Sequence, residues 1–215
     1  MKTLRETTMS LLFALCVLNI SAQSSSQDEN QPKTVFGKGA KVGFFGGAEM
    51  GLTDFGGNEA MEISAQIGWI VDNSFIAGIQ ITGLSEDASF TKYENNTKTS
   101  NFITAFIGPY FEPILLEDRL IHVGLPFFMG LGGTAYDVED LTYSEDDYYY
   151  GYDSYGDFFY VFKPGIELEL NLARFVRFGV KGTYRYTYGV SIENVNSNVF
   201  NGLTFGFTCK FGKFS

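Results

Sequence analysis

The stretch Val176-Arg-Phe-Gly-Val-Lys-Gly-Thr-Tyr-Arg-Tyr-Thr-Tyr188 alternates with a period of two. Val176, Phe178, Val180, Tyr184, Tyr186 and Tyr188 fall on one side, against Arg177, Gly179, Lys181, Thr183 and Arg185 on the other. That period marks a β-strand whose faces meet different surroundings. Immediately upstream, Phe158, Tyr160, Phe162, Ile166, Leu168 and Leu170 alternate with Lys163, Gly165, Glu167 and Glu169. The compact link Asn171-Leu-Ala-Arg174 predicts a hairpin that sets Glu167 and Glu169 alongside Arg177 and Lys181.

Working outward, six more runs of the same kind appear. They centre on Val42–Leu52, Met61–Val71, Phe75–Ile81, Ile103–Phe111, Ile121–Leu131 and Leu203–Phe211. The fourth is the least clean, because Phe102, Phe106 and Tyr110 fall on its otherwise polar side. Eight amphipathic strands without intervening helices imply an antiparallel meander. The connections alternate: 72–74, 112–119 and 171–174 are compact, while 53–58, 85–98, 135–156 and 190–199 are polar and mostly longer. Short turns on one rim and long loops on the other suit a membrane barrel. The polar face decides which side meets lipid, since it carries Gly, Ser, Thr and Gln with a few pairable charges, as a cramped interior requires. Eight strands enclose a space filled by side chains. Glu167, Glu169, Arg177, Lys181 and Arg185 are therefore expected as an interior polar network, because an unpaired charge there would cost several kcal/mol. The expectation is an all-β, eight-stranded antiparallel up-and-down transmembrane β-barrel over residues 41–215, with its phenylalanines facing lipid.

The N-terminus supplies an address. Lys2 and Arg5 precede the apolar stretch Met9–Ile20 and then Ser21-Ala22-Gln23, the parts of a cleaved signal peptide over residues 1–22. Residues 23–40 read as a flexible periplasmic lead-in. The 215 residues carry 15 Lys and Arg against 25 Asp and Glu; loss of Lys2, Arg5 and Glu6 leaves 13 against 24, a net charge of −11. So acidic a chain lacks the basic stripe that neutralises phosphates, which argues against nucleic acid. Cys209 alone remains after cleavage, so no internal disulfide can form.

The signal peptide, the eight alternating strands and the aromatic-ended last strand Gly202-Leu-Thr-Phe-Gly-Phe-Thr-Cys-Lys-Phe-Gly-Lys-Phe-Ser215 together resemble the small outer-membrane β-barrel proteins of the OmpA/OmpX-like type. The resemblance implies an integral bacterial outer-membrane protein, embedded in outer-membrane lipid, with its long loops extracellular. It also implies that the barrel assembly machinery reads the C-terminal strand through Phe211 and Phe214.

Catalytic chemistry finds little support. The single histidine, His122, opens an upward strand near the periplasmic rim, where a hydrogen-bonding role fits better than general-base work. No metal-binding, phosphate-cradling or redox motif is present, so no enzyme activity, metal or cofactor is expected. The unusual segment is the connection 136–157. It holds seven of the thirteen tyrosines and eight carboxylates, with Tyr143, Asp146, Asp147, Tyr148, Tyr149, Tyr150, Tyr152 and Asp153 as candidate contact residues. Tyrosine supplies contact area at low entropy cost, and clustered carboxylates attract cations or basic surfaces. One reading is a surface patch for an extracellular protein, a glycan or a divalent cation; the other is a solvated loop whose charge holds it off the membrane. A narrow channel for small solutes, lined by the interior charges, is the alternative function, and a lipid-modifying enzyme a more distant one.

Overall fold

The computed structural model describes residues 40–85, 92–94, 97–140, 152–192 and 197–214. Residues 1–39, and with them the signal-peptide segment and nearly all of the lead-in, lie outside the described residues. The strands are β1 (Val42–Phe55), β2 (Asn58–Val71), β3 (Phe75–Ser85), β4 (Lys92–Glu94), β5 (Thr97–Leu115), β6 (Ile121–Gly124), β7 (Phe127–Asp140), β8 (Tyr152–Ala173), β9 (Val176–Tyr188) and β10 (Gly202–Gly212). Every strand pairing is antiparallel, and β1 pairs with β10, from Phe45↔Gly212 to Thr53↔Thr204, which closes the sheet on itself. Closure removes the unpaired edges that an open sheet would expose.

The ten described strands make eight crossings. β6 and β7 are one crossing, interrupted at Leu125-Pro126, and both pair with β5 and β8. β4 is a three-residue side strand on β5. The architecture is therefore the up-and-down barrel that the alternation predicts.

The connections differ from the sequence reading in three places. The 53–58 segment is a two-residue turn, Gly56-Gly57, because both glycines adopt left-handed φ values (61° and 91°) and Asp54 Oδ1 accepts a bond from Gly57 N at 2.9 Å. The 112–119 segment is shorter than expected because β5 continues through Pro113 to Leu115, so Glu112 is a strand residue. The 136–157 connection shrinks to 141–151. The β7–β8 ladder continues through Asp137↔Ser154 to Glu139↔Tyr152, satisfying backbone groups that a loop would leave to water.

Outward positions carry the apolar residues: Phe207 is 72% exposed, Leu131 59% and Ile79 55%. Inward positions carry the polar ones, with Glu62, Glu112 and His122 at 0%. A contiguous exposed apolar wall around a buried polar core inverts a soluble protein and suits lipid as solvent. The phenylalanines divide between the faces. Phe45, Phe55, Phe106, Phe128, Phe159, Phe200 and Phe214 are buried, which corrects the expectation that phenylalanine faces lipid. Several of them gather toward the ends of the bore: Phe55, Phe159 and Phe200 at the loop rim, Phe45 and Phe214 at the rim of the chain ends.

Candidate functional site

The lumen is built from the inward residues of the strands. Nearest the chain ends, Lys210 of β10 reaches three carboxylates at once: Glu112 at 2.6 Å, Glu169 at 2.6 Å and Glu167 at 3.2 Å. The Tyr110 hydroxyl donates to Glu112, and the Thr208 hydroxyl to Glu167. His122 Nε2 lies 2.6 Å from Glu169 Oε2, and Arg177 Nη1 is 3.6 Å from the same oxygen. The Arg177 guanidinium also lies over the Phe214 ring, 4.2 Å from its centroid. Glu112, Glu167 and Glu169 place one oxygen each within 4.8 Å of one another, a spacing that would suit a divalent cation. The Lys210 ammonium already stands against all three, where three carboxylates would otherwise face one another without a partner charge.

Further along the bore, Lys181 Nζ pairs with Glu49 Oε2 at 2.5 Å, and Gln66 bridges Glu49 to Gln80. Nearer the loop rim, Glu62 takes Lys163 on one oxygen and Arg185 Nη1 on the other at 2.9 Å. Thr204 joins Thr53 at 2.9 Å beside them. Aromatic faces complete the solvation: Lys163 Nζ lies 5.4 Å from the Phe106 centroid, and Lys181 Nζ 5.4 Å from that of Tyr110. This accounts for the irregular fourth run, since Phe106 and Tyr110 face inward to cover cations. Among the described residues, five buried glutamates (Glu49, Glu62, Glu112, Glu167, Glu169) stand with five buried lysines and arginines (Lys163, Arg177, Lys181, Arg185, Lys210).

Glycines make room for these groups. A Cβ at Gly124 would run into the Glu112 carboxylate, and one at Gly179 into Glu167 and Thr208.

The structure brings Glu167, Glu169, Arg177, Lys181 and Arg185 into this lumen; Arg177 keeps the hairpin partner Glu169, whereas Lys181 and Arg185 pair with other strands. Lys181 stands beside Glu167 in the β8–β9 register but pairs with Glu49 from β1, and Arg185 pairs with Glu62 from β2. Glu49, Glu62, Lys163 and Lys210 were missed as network members, although their strand parity already put them on the polar face. Glu112 was hidden by Pro113, which reads as a turn but occupies a strand position opposite Phe75. Of the loop candidates, Tyr143, Asp146, Asp147, Tyr148, Tyr149 and Tyr150 lie outside the described residues. Tyr152 and Asp153 open β8, opposite Glu139 and Val138. Phe211 and Phe214 part company: Phe211 is 55% exposed on the outer wall, whereas Phe214 is buried beneath Arg177.

A closed meander with a paired polar lumen and an apolar outer wall can be compared with known architectures. A major outer membrane protein from Thermus thermophilus superposes with a TM-score of 0.56 at 8% identity, over 80% of this chain and 99% of its own. Neisserial surface protein A superposes with a TM-score of 0.51 at 12% identity, over 81% and 99%. The fold is that of the small outer-membrane β-barrels. No known family profile matches this outer-membrane barrel in sequence, and no curated protein does. At such identities the likeness is one of architecture, which eight strands, an apolar belt and a filled lumen impose on quite different sequences.

Proposed function

We propose that this chain is an integral outer-membrane β-barrel that acts through its extracellular surface, as a structural or surface-interaction protein whose contact site is the acidic, tyrosine-rich segment 136–157, the ends of β7 and β8 with the connection between them. The observation that carries the reading is the filled lumen. The charges that could have lined a channel are spent on one another, as in Lys210 with Glu112, Glu167 and Glu169, and rings stand at both mouths. A core so paired supports a rigid pedestal. His122, the single histidine, is committed to Glu169 inside this core, which supports a role without catalysis.

The pedestal carries its hairpin outward. β8 starts at Tyr152, yet its pairing with β9 begins only at Tyr160↔Tyr188, while its pairing with β7 extends to Glu139↔Tyr152. The β7–β8 ladder thus reaches further than the β8–β9 ladder, up to the ends of the 141–151 connection. The partner that suits tyrosines interleaved with carboxylates is an extracellular protein with a basic face, or a glycan.

Deleting 141–151 tests this. Binding of whole cells to extracellular matrix or host cells should fall at least ten-fold, while the unheated protein keeps a gel mobility different from the boiled one. Unchanged binding with a folded barrel would refute the loop as the contact site. Stepwise, ion-selective currents in planar bilayers would refute the pedestal reading in favour of the channel.

A further inference from the structure

We propose that the Ser197–Phe200 turn is a plug that seals the loop-side mouth of the barrel, with Arg185 as its clasp. The β9–β10 connection is polar in sequence, but Ile192 and Phe200 within it are 5% and 1% exposed. Their burial has a definite place. The Phe200 ring meets Phe55 of β1 edge-on at 4.9 Å and Phe159 of β8 at 5.1 Å, so rings from the connection and from two well-separated strands converge across the bore.

Hydrogen bonds hold the turn at that depth. Arg185 Nε donates to the Phe200 carbonyl at 2.6 Å and Nη2 to the Asp54 carbonyl at 3.0 Å, while Nη1 reaches Glu62 in the lumen at 2.9 Å. One guanidinium therefore ties the turn, the β1 rim and the charged core together, using the fixed fork of donors that only arginine offers. Gly56 N donates to the Val199 carbonyl at 2.9 Å, and Asn201 Oδ1 accepts from Thr187 N at 2.7 Å. Bonds from β9 and from the Gly56-Gly57 turn fix it as part of the fold. Beyond the rings lie the paired charges, whose mutual attraction weakens when water enters. The plug keeps the loop-side end of the lumen dry, and Phe200 is the residue that does it.

Thiol accessibility tests the proposal on the full mature chain, folded in detergent micelles. Ser64, buried in the lumen against Thr82, becomes the reporter as Ser64→Cys in a Cys209→Ala background. A small cationic methanethiosulfonate is the probe. With Phe200 in place the thiol should react slowly; Phe200→Ala should raise the rate at least ten-fold, and Phe200→Leu should leave it slow. Asn201→Ala, which removes the turn's anchor to Thr187 without touching the rings, should also raise the rate and decides the matter if Phe200→Ala does not fold. Equal rates with and without these changes, in chains that keep the folded gel mobility, would overturn the plug. That result would leave the loop-binding reading standing, since binding through 141–151 is read on cells.

Discussion

Lys210 and Glu112 stand on strands that are not neighbours in the sheet, yet their Nζ and Oε2 atoms lie 2.6 Å apart. The pair spans the bore and pins one wall of the barrel to the other. Lys210→Met removes the cation shared by Glu112, Glu167 and Glu169 and leaves buried like charges facing one another. Breaking a buried pair in this way costs about 3–5 kcal/mol. Urea titration of the folded fraction on unheated gels should show the midpoint fall accordingly. A midpoint equal to that of the parent would mean that the carboxylates do not depend on Lys210.

Gly179 is required by close approach: a side chain there would occupy the space of the Glu167 carboxylate and the Thr208 hydroxyl. Gly179→Ala should destabilise by about 1–3 kcal/mol, the usual cost of overpacking. Gly83→Ala is the matched control, because no atom of the described residues lies within 4 Å of its Cβ position. Equal urea midpoints for the two variants would contradict the packing described for the lumen.

Ile79 projects from the middle of β3 on the outer wall and is 55% exposed. An arginine there places a charge against acyl chains, at a cost of about 2–4 kcal/mol near the bilayer midplane. Refolding equilibria of Ile79→Arg into lipid vesicles should show that loss. Arginine tolerated without penalty would show that this wall does not meet lipid.

Trp69, the single tryptophan, lies on the same wall nearer the rim of the chain ends, 58% exposed. Its fluorescence should be quenched by lipids brominated on their acyl chains and resist quenching by aqueous acrylamide. The opposite pattern would turn the barrel inside out.

Alternation made the strands and their two faces legible. A residue at an even or odd position in a strand has no choice of side once its neighbours are placed, so Glu167, Arg177 and Lys181 could be sorted inward from the sequence alone. Pairing across the bore was not legible in the same way. Lys181 is beside Glu167 along the sheet, but the nearest carboxylate to its ammonium belongs to Glu49, brought over by the closure of β1 onto β10. Phe106 and Tyr110 looked like blemishes in a strand, because covering a cation with a ring has no period to read.

By itself, the sequence determined the strand count, the direction of the apolar face and the concentration of tyrosine and acid in one connection, all of which follow from period two and composition. Only the tertiary structure decided which charge neutralises which, that Phe200 and Phe214 turn inward at opposite mouths, and that β7 and β8 extend to Asp140 and Tyr152. The division has a physical cause. Facing is a local property of an extended chain, whereas ion pairing and plugging depend on distances across a closed wall, which no stretch of the chain contains until the barrel shuts.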